Sequence, residues 1–263
     1  MRAIGSSRAL LAACVLVMLF LYLPLFVMVV MSFNAGDSVG LPFTGFSLAW
    51  YARLFGNAQI MHAIINSLIV AVGTVAISLP LGVMAAVGLD RYEFPGKAVF
   101  RRIVLLPLIL PGVITGVSLL NFYIINGVRL SLATIIFGQG TALVCVSLTE
   151  VFARLQQLGR SQYEAAQDLG AGESECFFRV ILPNISGAVV GAALISASIS
   201  LDEIAVTYLL TGRQNTLPMV IWSLLRREAT PLVNAAGTLM VVATAILVTL
   251  GLRLSRSGAE AAE

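Results

Sequence analysis

Tyr163-Glu164-Ala165-Ala166-Gln167-Asp168-Leu169-Gly170, followed after nine residues by Val180-Ile181-Leu182-Pro183, decides the class of this chain. The stretch lies between long apolar runs and is itself polar and small. Glu164 and Asp168 are four apart and share one face of a helix. Ala165 and Ala166 let another surface come close. Gly170 and Gly172 can end that helix and turn the chain. Phe177 and Phe178 then begin a second helical segment that leads through Leu182 to Pro183. An acidic, small-faced helix held outside a bilayer suits docking into a cleft on a partner; the plainer alternative is an ordinary solvated loop.

The rest of the chain sets the environment of this segment. Of its 263 residues 59% are hydrophobic and 11% charged, and the mean hydropathy is +0.96. Soluble domains carry about a quarter charged residues, so the composition is that of a polytopic membrane protein. The net charge of +3 does not point to nucleic acid. The basic residues flank apolar runs and form no stripe with interleaved aromatics. Cys14, Cys145 and Cys176 are odd in number and far apart, which fits neither a disulfide framework nor a zinc site.

Six apolar runs approach bilayer-spanning length, about 20 residues: residues 9–32, 62–89, 100–125, 130–153, 184–210 and 232–254. The first follows Arg2 and Arg8 and is too long for a signal-peptide core, so an uncleaved anchor is expected. The fourth is interrupted by Gly138, Gln139 and Gly140. Between the first two runs, Gly36, Gly40, Pro42 and Gly45 mark a loop. Leu48 to Phe55 in that loop can form a short interfacial helix with an aromatic anchor. With both termini inside, cytoplasmic segments hold eleven of the sixteen basic residues and outer ones five, Arg53, Arg129, Arg213, Arg226 and Arg227. The positive-inside rule therefore predicts cytoplasmic termini and a cytoplasmic Glu-Ala-Ala segment. The chain reads as one permease domain over residues 1–263, with a loop at about 160–183.

The Glu-Ala-Ala segment, its glycine and the Leu182-Pro183 pair resemble the EAA loop of ABC importer permeases, with Val180 where that pattern has isoleucine. Ser32-Phe33-Asn34, Gly45 to Tyr51, Asp90 to Lys97 and Ser200-Leu201-Asp202-Glu203 are similar to the spermidine/putrescine branch. Permeases for ferric iron, opines and aminophosphonates are similar too. The resemblance covers about residues 10–254. It implies an all-α fold with six transmembrane helices, the type I importer permease fold, in a bacterial inner membrane. It implies a second permease subunit, usually a different chain, two ATPase subunits that carry ATP and Mg, and an extracytoplasmic solute-binding protein. Glu164, Ala165, Ala166, Asp168, Gly170, Leu182 and Pro183 would then couple to the ATPase, and transport would proceed by alternating access.

Asp202 and Glu203 stand out on the translocation side. Asp202 lies about 27 Å along a helix from Asn184 at about 1.5 Å per residue, in the outer third of the fifth run. Carboxylates at that depth are costly and face protein or a water-filled path. They either attract a cationic solute such as a polyamine, or serve structure through an ion pair to Arg213, Arg226 or Arg227, or mark a break where the helix leaves the membrane. Asn121, Tyr123 and Tyr208 are weaker cavity candidates, with interfacial belt positions as the alternative; aromatic faces can hold amines. Ser196, Ser198 and Ser200 suit close helix packing better than solute binding. Pro107 and Pro111 should kink the third run, as a gate or as a static bend.

The sole histidine, His62, rules out a His-Glu-x-x-His metal site. The sole lysine, Lys97, in Gly96-Lys97-Ala98, has no P-loop context, so the chain cannot hydrolyse ATP by that chemistry, which supports a split system with a separate ATPase. An ion-coupled secondary transporter would be expected to show an inverted repeat, and none is evident. An intramembrane enzyme would need a buried nucleophile and base or a metal set, and paired histidines or aspartates are missing.

Overall fold

Backbone amides in hydrocarbon must be bonded within their own segment, and the chain answers with helices throughout. A computed structural model describes residues 3–159, 161–227 and 230–260. The helices are α1 (Ala3–Met31), α2 (Ala49–Gly56), α3 (Ala58–Arg91), α4 (Lys97–Ile109), α5 (Gly112–Ile125), α6 (Leu132–Leu158), α7 (Ser161–Asp168), α8 (Glu173–Glu175), α9 (Leu182–Asp202), α10 (Ala205–Leu210), α11 (Leu217–Arg227) and α12 (Pro231–Glu260). A π-helical stretch, Cys176–Ile181, joins α8 to α9. Arg2 and Arg160, and the side chains of Arg8, Arg227 and Arg256, lie outside the described residues.

Among the described residues five helices are long and apolar enough to cross a membrane, and up to six crossings result if α4 and α5 are counted as one. That pair differs from the expected single kinked helix: its two halves bend by 107°. Pro107 is carried inside α4, whereas Leu110, just before Pro111, is extended at φ −76° and ψ 131°. A residue preceding proline is pushed out of the helical region, and here that ends the helix. The fourth run departs in the other direction. The Gly138-Gln139-Gly140 interruption does not exist, and α6 runs unbroken for 27 residues. The fifth run is broken instead, at Glu203, which is extended at φ −74° and ψ 117°.

The chain divides into two compact units. The first comprises residues 1–61 and 220–243. Its α1 is apolar all round and exposed along most of its length, with Phe20 75% exposed, as a helix facing lipid is. The following loop folds on Asn34, which is fully buried. Asn34 Oδ1 accepts from the Thr44 backbone N–H at 2.9 Å and from Thr44 Oγ1 at 3.0 Å. Trp50 of α2 donates its indole N–H to the Asn34 carbonyl at 3.0 Å and is buried. The expected aromatic anchor therefore points inward and holds the loop.

The second unit comprises residues 62–219 and 244–263. Its core packs Val83, Ala86 and Leu89 of α3 against Leu148, Val151 and Leu155 of α6, and against Ile181, Ile185 and Ala192 leading into and along α9. The buried residues of α9 are Ile185, Ala192, Ser196 and Ser200, which fall on one face of a helix. Ser200 donates to Gln139 Oε1 at 2.5 Å, and Ser196 and Ser147 lie 3.4 Å apart, so both serines are turned toward α6. With 34 residues, α3 is about 51 Å long at about 1.5 Å per residue, against an apolar bilayer core of about 30 Å. It can cross the membrane and still carry Asp90, Arg91 and Tyr92 well beyond it.

Candidate functional site

Within the second unit the Glu-Ala-Ala segment forms α7, and its end is a Schellman turn. The Ala171 N–H reaches back to the Ala166 carbonyl at 3.0 Å, and the Gly170 N–H to the Gln167 carbonyl at 2.8 Å. This double closure needs a left-handed residue after the helix, and Gly170 supplies it at φ +86°. No atom lies within 4 Å of where a Cβ would stand, so the glycine is required by backbone conformation and not by crowding. Gly172 then opens the next helix, its carbonyl accepting from the Cys176 N–H at 2.9 Å.

The return into α9 passes through the π-helical stretch. Pro183 has no N–H, and its ring crowds the carbonyl four residues back. The wider i−5 pattern relieves this: the Leu182 N–H bonds the Phe177 carbonyl, and the Asn184 side chain caps the Val180 carbonyl at 2.7 Å. Leu182 packs against the core while Cys176 and Ile181 are buried in it. Pro183 itself is exposed.

Buried roots therefore present an exposed tip. Glu164, Ala165, Asp168 and Gly170 are exposed and Ala166 is half-buried. Leu169 is 89% exposed and Phe178 64%, which adds two apolar groups to the acidic helix. The tip is braced from the end of α3. The Arg91 guanidinium lies 3.5 Å from the centre of the Tyr163 ring. The Tyr92 hydroxyl donates to Glu173 Oε2 at 3.4 Å. Glu173, the largest influence, disfavours the phenolate and holds the Tyr92 phenol above its ordinary value. Asp90, itself buried, accepts from Gln156 Nε2 at 2.7 Å. None of these bracing residues was marked as functional by the sequence; the signal was present only in the cluster Asp90-Arg91-Tyr92 closing an over-long helix.

At the other break Asp202 and Glu203 part company. Glu203 Oε1 accepts from the Val206 N–H at 2.9 Å and so caps the first turn of α10. Asp202 is exposed and makes no hydrogen bond or ion pair among the described residues, where the ion pairs are Lys97–Glu93 and Arg179–Glu175. The two broken helices meet here: a Cβ on Gly112 would lie 3.4 Å from Ala205 Cβ and 3.6 Å from Glu203 Oε1, and one on Gly116 would lie 3.3 Å from Val206 Cα. Gly112 and Gly116 thus form a small-x-x-x-small face that lets α5 lie against α10. Tyr123 is half-buried, with its hydroxyl donating to the Thr134 carbonyl at 3.4 Å. Asn121 and Tyr208 are exposed.

Residues 78–257 match the family model of the binding-protein-dependent transport system inner membrane component. The chain belongs to this family. It is a multi-pass inner-membrane permease subunit of an ABC importer and works in transport, not as an enzyme. Its similarity to relatives spans nearly the whole chain. It is 34% identical over 238 residues to the spermidine/putrescine transport system permease protein PotC of Haemophilus influenzae, covering 90% of this chain and 92% of that protein. It is 33% identical over 236 residues to the putrescine transport system permease protein PotI of Escherichia coli K12, covering 87% and 84%. Among solved structures, a chain of the bacterial alginate ABC transporter in complex with alginate pentasaccharide-bound periplasmic protein superposes with a TM-score of 0.76 at 20% identity, covering 97% of this chain and 95% of that one. A chain of the MetNI methionine ABC transporter, from an inward-facing structure, gives 0.63 at 18%, covering 81% and 99%. At those identities the likeness establishes the type I permease fold. The permease's exposed tip and its broken helices are the features on which a functional account must rest.

Proposed function

We propose that this permease forms half of the translocation path of a polyamine importer, carrying spermidine, putrescine or a similar cationic amine. The observation that carries this is the Asp202 carboxylate, exposed and unpartnered among the described residues at the C-terminal end of α9. A helix C-terminus carries partial negative charge, and an acid there is disfavoured by about 0.3–1 kcal/mol. A cation at that end offsets both, and the unsatisfied terminal carbonyls add acceptors for an amine. Relatives that bear spermidine and putrescine in their names over some nine-tenths of the chain support the same solute class.

In this proposal both termini are cytoplasmic and α7 docks on an ATPase from that side. Glu164, Ala165, Ala166 and Asp168 form the docking face, Gly170 fixes its angle, and Leu182 and Pro183 tie its movement to α9. ATP and Mg belong to two ATPase subunits. A second, homologous permease chain completes the path, and an extracytoplasmic binding protein delivers the solute. The test is uptake of labelled putrescine by cells whose other polyamine importers are deleted, competed with excess spermidine or an excess neutral amino acid. Competition by spermidine alone is expected. Uptake blocked by the neutral solute and indifferent to spermidine would overturn the solute class.

A further inference from the structure

Gln139 is 2% exposed and its amide bonds both flanks of the break in the fifth run. From α9, Ser200 Oγ donates to Gln139 Oε1 at 2.5 Å. Toward α10, Gln139 Nε2 donates to Thr207 Oγ1 at 2.7 Å. From α3, Thr74 Oγ1 donates to the same Oε1 at 3.4 Å. Thr74 and Thr207 are fully buried and Ser200 nearly so, so no water competes for these bonds. The flanking glycines bring the amide within reach. Gly138 receives the Leu210 side chain, and a Cβ on Gly140 would lie 3.0 Å from Ile77 Cβ; α6 therefore approaches α10 on one side and α3 on the other. An apolar side chain would serve simple packing at this depth. A buried amide whose partners straddle a gap in a helix does something more: it ties together two segments whose own backbone ladder is interrupted.

We propose that Gln139 is a positioning residue for transport, clamping Ser200 and Thr207 across the break so that Asp202 stands at a fixed place beside the capped start of α10. This rests on Asp202 belonging to the path. The clamp has two releasable bonds, one on each side, so the break can hold one geometry firmly and still change it when α9 moves with the coupling loop.

The test uses the full complex of permeases, ATPases and binding protein. Cysteine is placed at the break with Asp202→Cys in a chain carrying Cys14→Ala, Cys145→Ala and Cys176→Ala, and its modification by a membrane-impermeant methanethiosulfonate is timed with and without Gln139→Leu. In the Asp202 chain, polyamine uptake per ATP hydrolysed is measured per assembled complex. Gln139→Leu is expected to change the modification rate at least fivefold and to lower uptake per ATP about tenfold, with ATP hydrolysis retained. Ser200→Ala and Thr207→Val, which each remove one bond, should give smaller shifts in the same direction, and they decide the matter if Gln139→Leu fails to assemble. Wild-type values for both readouts would overturn the clamp. A changed modification rate with unchanged uptake per ATP would leave the clamp standing and remove the break from the path.

Discussion

The Arg91 guanidinium stacks on the Tyr163 ring at 3.5 Å from its centre, while Arg91 Nε is buried and makes no hydrogen bond among the described residues. The contact joins the end of α3 to the first turn of α7. Such contacts are worth about 0.5–2 kcal/mol. Tyr163→Leu should lower uptake per ATP about fivefold and Tyr163→Phe should keep it. Equal losses in both variants, or none, would show that the ring face does not carry the brace.

Gly170 tests the angle of the same helix. An L-residue with a side chain in the left-handed region costs about 1–2 kcal/mol. Gly170→Val should reduce co-purification of the ATPase and uptake together, Gly170→Asn should reduce both less, and membrane insertion should be unchanged. A fully active valine variant would mean that the Schellman turn is dispensable.

Asp202 and Glu203 are expected to separate by phenotype. Asp202→Asn should lower uptake of a cationic solute about tenfold with little change in thermal stability. Glu203→Ala should instead lower stability by about 1 kcal/mol, the usual cost of losing a helix cap, seen as an earlier thermal unfolding of the purified complex. Reversed phenotypes would exchange the two roles.

Tyr92 gives a pH signature. Its phenol is held above the ordinary value, chiefly by the Glu173 carboxylate. A raised pKa keeps the protonated, donating form, so the Tyr92–Glu173 bond is fully present below about pH 10. It is lost as pH rises through the higher folded-state value. Glu173→Gln should move the phenol's ultraviolet titration back toward the ordinary range; an unmoved titration would exclude the carboxylate as cause.

How much of this was legible in the sequence varies with the range of the forces involved. Gly170 was readable because a helix stop followed by glycine is a local rule. The break at Leu110-Pro111 was half readable. Two prolines announced a distortion, but which one ends the helix depends on whether the preceding residue turns extended, as Leu110 does. Gly138-Gln139-Gly140 misled because glycines that weaken a helix in water are held helical in a bilayer by the need to bond every amide, and here they serve close approach. Trp50 read as an anchor because its type fits an interface, while its indole partner, the Asn34 carbonyl, is set by the folding of the loop. Of the brace on the tip, the sequence showed only the cluster Asp90-Arg91-Tyr92 and not its partners, since Tyr92 and Glu173 are 81 residues apart.

The most direct test is uptake of labelled spermidine and putrescine into proteoliposomes holding this permease, its partner permease and the ATPase, with the binding protein outside and ATP enclosed. Accumulation that needs both ATP and the binding protein, and that falls with Asp202→Asn, is the expected result. ATP hydrolysis stimulated by the loaded binding protein with no movement of either amine would contradict the polyamine assignment.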